Sequence, residues 1–398
     1  MAWKYRMVRP QRRNDPFWLR RVHVPGGAVT TTVEDGHWVA VAHDQTTVRA
    51  LNQRGFVVQT AVEYDPGNRP APTRPAAVAV DRPTRDPSTD QSGVVDDIPP
   101  GIRRCWLDAV DHPVRPVGPL RAAVNLARGF TLASAARTDP VAPAAVDGPV
   151  AVCVVFAVTG WTVGTARAVQ AALDAVVELG PAAHLVLVQN DTDAVQATRD
   201  WTPERHRQRL RRAYGPNRGY GPACNLGARS ARPGTDWLLY TQEDVQWSSA
   251  DVRLAVAYAL WGQWATGATA PALVGPSGGY VDTPTGIVTE YGTNAGDHVH
   301  SARVVDFLAG YWVLVSSHGV GSTWRWCEDF FLYYEDVDLG LVHAALGAPS
   351  LVVPGLRVRH RRGGTIAPAL GHGRFVVQAE SRRRFLARWS PAPAGTPS

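Results

Sequence analysis

The chain has 398 residues, of which 45% are apolar and 9% aromatic, and a formal net charge of +6. That length and composition suit two or three folded domains and exclude a chain disordered throughout. No uninterrupted apolar run reaches the ~20 residues that a membrane helix needs. No signal-like apolar stretch precedes the Arg20-Arg21 pair, so the expected location is cytoplasmic or peripheral at a membrane.

Residues 1–65 read as a small N-terminal accessory module. Positions 28–33 and 37–42 predict a hairpin across Glu34-Asp35-Gly36, 45–54 a short helix ended by Gly55, and 56–62 a strand. Prolines and scattered aspartates then replace hydrophobic periodicity, so 66–149 reads as a Pro-rich linker with an irregular, locally helical part. From 150 the pattern becomes α/β: a buried strand over 150–158, a helix over 166–179 and a strand over 183–188. A polar surface helix is expected over 198–213, a glycine-rich turn from Asn217, a strand over 237–240 and a helix after Ser249. The main domain is placed at 150–370, with a C-terminal helix and tail over 371–398.

Basic residues crowd 1–21 and 357–388, and Lys4 is the sole lysine. Such patches suit phosphates, anionic lipid or nucleic acid, although an arginine bias also fits coding composition. Cys105, Cys153, Cys224 and Cys327 are far apart and match no zinc spacing, which favours ordinary reduced thiols.

Two acidic clusters carry the chemistry. Gln242-Glu243-Asp244 follows an apolar run ending at Tyr240, and Glu335-Asp336-Val337-Asp338 follows the aromatic run 330–334. Acids set just after buried segments are held rigidly at a cleft. One can hold a divalent cation, and the other can take a proton from a hydroxyl. Each also has a plain reading, as solvated strand-end acids and as an acidic helix cap.

Taken in order, the motifs resemble family 2 of the inverting glycosyltransferases, which have the GT-A fold, and in particular its rhamnosyltransferase-like members. The resemblance covers 150–365. It rests on the first strand, Gln189-Asn190-Asp191, Asn217-Arg218-Gly219-Tyr220-Gly221 with Asn225-Leu226-Gly227, Gln242-Glu243-Asp244, the stretch 330–338, and His360. It implies an α/β, GT-A-like mixed-sheet domain that binds a nucleotide diphosphate sugar. Ala157, Val158, Thr159, Asn190 and Asp191 would line the nucleotide, with Asn217, Gly219, Tyr220, Asn225, Glu243 and Asp244 completing the donor site. Asx turns and close structural packing are the plain readings for Asn190, Asp191 and Asn225.

The same resemblance makes Asp244 and His360 ligands of Mn²⁺ or Mg²⁺. It makes Asp336 the general base, with Glu335 orienting the acceptor or tuning the field. Gly310-Tyr311-Trp312 would lie opposite the donor cleft, and Trp324 and Trp326 would serve as acceptor platforms, or either group would be core packing. The expected partners are a nucleotide sugar and a hydroxyl acceptor such as a glycan or protein. Two alternatives stand beside this: a sugar-nucleotide binder without turnover, and a transferase acting on DNA.

Overall fold

The computed structural model describes the strands within 2–64, then residues 100–114, 117, 143–158, 160–190, 198, 201, 204–292, 299–318, 325–361, 370 and 373–389. The chain divides into two units, one of 1–88 with 287–289, the other of 89–286 with 290–398.

In the first unit, five strands, β1 (Ala2–Pro10), β2 (Arg21–Val24), β3 (Gly27–Glu34), β4 (His37–Ala42) and β5 (Val57–Tyr64), form one sheet in the order β2-β3-β4-β1-β5. The expected hairpin is there: β3 and β4 pair antiparallel from Thr31↔Ala40 to Glu34↔His37. The strand read at 56–62 runs as β5. The helix expected over 45–54 lies outside the described residues. What the sequence reading lacked are β1, which pairs β4 on one side and β5 on the other, and β2, which pairs β3.

The second unit begins with α1 (Pro100–Val110). Its centre is an eight-stranded sheet in the order β14-β17-β11-β16-β9-β6-β7-β8. In chain order come β6 (Val152–Val158), α2 (Val163–Leu179), β7 (His184–Gln189), β8 (Leu210–Tyr214), α3 (Tyr220–Arg229), β9 (Trp237–Gln242), β10 (Val245–Gln246) and α4 (Ser249–Thr266). Next are β11 (Leu273–Gly275), β12 (Ser277–Asp282), β13 (Ile287–Gly292), β14 (Arg303–Val305), β15 (Phe307–Leu308) and β16 (Trp312–Ser316). The chain closes with α5 (Glu335–Ala345), β17 (Ser350–Val352), β18 (Arg359–His360) and α6 (Gly373–Trp389).

The sheet is mixed. β9, β6, β7 and β8 run parallel, whereas β16 opposes both β9 and β11. Strand β6 is a near-continuous run of β-branched and aromatic residues because helices cover both of its faces. Val152, Val154, Phe156 and Val158 enter one core cluster with Val169, Leu173 and Val176 of α2 and Val252 and Val256 of α4. Cys153 and Val155 point the other way, to Ala223 and Cys224 of α3. Local sequence sets the helix ends. Thr162 caps α2 by accepting from the Thr165 N–H, and Ser248 with Asp251 closes a capping box on α4.

One element differs from expectation. The helix read over 198–213 is instead a short 3₁₀ turn at Glu204–His206 followed by β8, which pairs parallel with β7 from Leu185↔Leu210 to Gln189↔Tyr214. Leu210 and Ala213 are buried while Arg211 and Tyr214 face out. An arginine-rich segment at the sheet edge looks polar by composition, yet needs only two inward residues to pair.

Candidate active site

The topology itself makes a crevice. From β6 the chain builds outward to β7 and β8, then returns to the other side of β6 as β9, so the strand order reverses there. Loops at the carboxyl ends of parallel strands part at such a switch point and leave a place for ligands. Val158 stands beside Gln189 and Ala157 beside Gln242, so the loops after β6, β7 and β9 end at one level.

At this edge Ala157 is half-buried, Asn190 is buried, and Val158 is turned into the core at 1% exposure. Val158 therefore offers the site no side chain, only its backbone. Thr159 and Asp191 lie outside the described residues. Glu243 reaches the first turn of α2, where its Oε2 accepts from Thr165 Oγ1 at 3.0 Å. An acid is well placed against the positive end of a helix.

Asp244 and His360 come together across 116 positions of sequence by a short ribbon. β18 pairs antiparallel with β10, Val245 opposite His360, and the Arg361 N–H donates to the Asp244 carbonyl. Asp244 Oδ2 and His360 Nε2 are 3.4 Å apart, with side chains 10% and 16% exposed. A carboxylate oxygen and an imidazole nitrogen are donors that Mn²⁺ or Mg²⁺ accepts. Among the described residues no group of three or more His, Cys, Asp and Glu converges. The pair fits a cation whose remaining ligands are diphosphate oxygens and water, and does not fit a closed protein cage.

The second acidic cluster opens α5. Tyr333 and Tyr334 both have positive φ, 69° and 67°, which is rare for bulky residues. That reversal turns the chain so that Glu335 and Asp336 occupy the helix's first turn. Asp336 is half-buried, its Oδ2 accepting from the Gly310 N–H at 3.0 Å and its Oδ1 from the Val337 N–H at 2.9 Å. Burial pushes its carboxyl up to about 6, against the pull of those two N–H groups, with Glu290 adding to the rise. Glu335 is buried at 5% exposure. Burial and then the neighbouring Asp336 hold it well above the ordinary carboxylate range, and its Oε2 meets no hydrogen-bond partner among the described residues.

One loop joins the two acidic centres. β16 lies antiparallel to β9, with Trp312 opposite Thr241, so Gly310-Tyr311 sits beside the end of β9. The Gly310 N–H holds Asp336, and its carbonyl accepts from the Tyr220 hydroxyl at 2.7 Å. A Cβ on Gly310 would lie 3.3 Å from that of Asp336. The Tyr311 ring stacks on His360, centroids 4.3 Å apart and planes 16° apart.

The glycine-rich motif faces inward. Gly219, with φ +109°, packs so closely on the Phe331 carbonyl that a Cβ would sit 2.1 Å from its oxygen, and a Cβ on Gly221 would sit 2.9 Å from the Cys327 carbonyl. Asn217 makes an Asx turn, its Oδ1 accepting from the Gly219 N–H. Asn225 is buried; its amide donates to the Trp326 carbonyl and to Glu328, and its oxygen accepts from the Trp326 N–H. These side chains therefore hold the segment that delivers Asp336. Trp326 itself is core, edge-on to Tyr220 and Tyr240, and Trp312 is fully buried. Trp324 lies outside the described residues.

The arginines of α6 are similarly engaged. Arg382 donates to the Thr285 carbonyl, Arg384 to the carbonyls of Asp329, Val110 and His112, and Arg383 to Glu380. Arg388 and Trp389 both donate to Asp338 Oδ1, at 2.6 and 2.7 Å. Asp338 thus anchors the C-terminal helix beneath α5.

No family model matches the chain. It is 28% identical over 179 residues to an N-acetylglucosaminyl-diphospho-decaprenol L-rhamnosyltransferase of Mycobacterium tuberculosis, in two strains, covering 37% of this chain and 57% of the relative. The match thus spans little more than half of that relative's length. Among solved structures, it is similar to a mannosyltransferase from Pyrobaculum calidifontis in complex with GDP-Man and Mn²⁺ (TM-score 0.35, 17% identity, 59% of this chain and 61% of that one). It is also similar to GalNAc-T7 with UDP, GalNAc and Mn²⁺ (TM-score 0.40, 14% identity, 54% of this chain and 44% of that one). The second unit is a mixed-sheet α/β domain, and the chain resembles the rhamnosyltransferase-like members of glycosyltransferase family 2.

Proposed function

We propose that this protein is an inverting glycosyltransferase that moves a sugar from a nucleoside diphosphate donor to a hydroxyl acceptor, with Asp336 as the base. The observation that carries the reading is the Gly310-Tyr311 loop, which contacts Asp336 on one side and His360, the partner of Asp244, on the other.

In this reading the acceptor oxygen attacks the anomeric carbon while its proton passes to Asp336. The bond from that carbon to the diphosphate breaks, and its electron pair leaves with the phosphate oxygen. Attack opposite the leaving group inverts the centre. A carboxyl held at about 6 is mostly ionised near neutral pH and still basic enough to accept the proton. Burial raises the Glu335 carboxyl well above the ordinary range, which disfavours a second negative charge beside Asp336. Asp244 and His360 would hold Mn²⁺ or Mg²⁺; when bound, that cation offsets the charge growing on the departing diphosphate. Glu243 steadies the loop against α2, and backbone at Ala157 and Asn190 lines the nucleotide.

The rhamnosyl donor and lipid diphosphate acceptor named for the mycobacterial relative make a deoxyhexose donor and a lipid-linked acceptor the first pair to test. No helix among the described residues is long and apolar enough to cross a membrane, so such an acceptor would be met at the membrane surface. A DNA acceptor loses part of its rationale, because the arginines of α6 serve internal contacts. A second reading, a donor-binding protein without turnover, is supported by the altered Gln242-Glu243-Asp244 motif, in which Gln242 brings an amide and no carboxylate to the cation.

The test is a screen of UDP-, dTDP- and GDP-sugars for saturable binding and for transfer or slow hydrolysis, with and without Mn²⁺. Asp336→Asn is expected to keep donor affinity within a few-fold and to lose roughly 10²–10⁴ in turnover. Full transfer by that variant rejects the base; donor binding with no turnover by the parent protein favours the second reading.

A further inference from the structure

We infer that Tyr311 is a positioning residue for the diphosphate end of the site: its face sets the plane of the His360 imidazole, and its hydroxyl, tied to Ser277, sets the ring. The inference rests on the reading that Asp244 and His360 hold a cation with the donor diphosphate, and it gives Tyr311 a role at that end of the site rather than against the sugar or acceptor.

His360 sits on a two-residue strand that, among the described residues, pairs with β10. That pairing fixes its backbone and leaves two side-chain torsions to its neighbours. Tyr311, by contrast, directly precedes β16, which is zipped to the central sheet from Trp312↔Thr241 to Ser316↔Trp237. It is 5% exposed, and its hydroxyl meets Ser277 Oγ at 2.8 Å in a buried contact. Ser277 holds the same loop a second time, its carbonyl accepting from the Ala309 N–H at 2.9 Å. The ring is thus clamped at its edge and at its backbone, and presents a flat face 4.3 Å from the imidazole. A nearly parallel stack restrains the tilt of an imidazole, which directs Nε2 towards Asp244 Oδ2. A residue that only filled space would need bulk there, and neither a flat face nor a buried hydroxyl bond.

Two substitutions separate these roles. Tyr311→Phe keeps the face and loses the tether; Tyr311→Leu keeps apolar bulk and loses the face. The measurement is binding of the Mn²⁺–pyrophosphate complex to the full chain, followed by water-proton relaxation enhancement, with the metal-free Tm recorded alongside. Tyr311→Leu is expected to weaken binding at least roughly tenfold, and Tyr311→Phe roughly two- to fivefold, with Phe always nearer the parent protein. A folded Leu variant with parental affinity overturns the positioning role while leaving the functional reading intact. If the Leu variant does not fold, the Phe variant decides: parental affinity overturns the role, and the stated weakening supports it. No binding by the parent protein removes the cation reading of the Asp244–His360 pair, and this inference with it.

Discussion

At the residue scale, the decisive contrast is between two adjacent carboxyls on the first turn of one helix. Asp336 is half-buried and accepts two backbone N–H bonds, while Glu335 is buried with an oxygen lacking a hydrogen-bond partner among the described residues. Burial raises both, and Glu335 further. Turnover is therefore expected to rise with pH through a midpoint near 6, as Asp336 loses its proton, and to reach a plateau above it. Because burial holds Glu335 well above the ordinary carboxylate range, Glu335→Gln is expected to move that midpoint by less than about half a unit. A pH–rate series on both proteins checks this; a full-unit fall in the variant would mean that Glu335 carries charge. The sign for stability is opposite to that for activity. Both carboxyls hold protons in the fold that the unfolded chain has already released, so stability falls as pH climbs from the ordinary carboxylate range through about 6. The presence of acids after apolar segments was legible in the sequence. Their unequal surroundings were not, since burial and the Gly310 N–H come from segments distant in the chain.

At the scale of elements, the glycine motif and α5 behave as one structure. Gly219 has a backbone conformation reserved for glycine and lies against the Phe331 carbonyl, while the Tyr220 N–H donates to that same carbonyl. Gly219→Ala is expected to cost at least about 2 kcal/mol in urea denaturation and to reduce turnover, because the displaced segment carries Asp336. Unchanged stability and turnover would show that the close approach relaxes freely. Asp338 gives a separate test, away from the reacting groups. Asp338→Ala leaves Arg388 buried without its strongest partner and frees Trp389 Nε1, so a loss of about 3 kcal/mol is expected by the same measurement. A loss below about 1 kcal/mol would mean that α6 is held by its apolar face alone. Spacing in the sequence identified these glycines as places of close approach. What they approach is set by packing of 326–331 on α3, which no local pattern encodes.

At the scale of the whole molecule, the eight-stranded sheet and its helices are held by apolar clusters that include neither Asp244 nor His360. Chelation is therefore expected to abolish transfer, to leave Tm within about 2 °C, and to be reversed by added Mn²⁺. A Tm drop of about 10 °C on chelation would make the ion structural instead. Much of this unit was readable beforehand, because β6, α2, β7 and β9 have strong apolar patterns that local chemistry reinforces. Among the strands that escaped, in either unit, two have a plain cause. β8 was read as helix because Arg211 and Arg212 mask a short inward pair at a sheet edge. β1 alternates Trp3, Tyr5 and Met7 with Lys4 and Arg6, a period-two signal that its high charge concealed.

By itself, the sequence determined the α/β order of the second unit, the two acidic clusters, the late histidine and the glycines that admit close contact. These are local properties: periodicity, residue type and missing side chains act over a few positions. Only the tertiary structure decided which of them meet. It set β18 against β10 to bring His360 to Asp244, laid β16 beside β9, and thereby put Gly310 against Asp336 and Tyr311 against His360. The physical reason is that pairing partners and burial are chosen by the free energy of the whole packed chain, and a carboxyl's charge follows from where that packing leaves it.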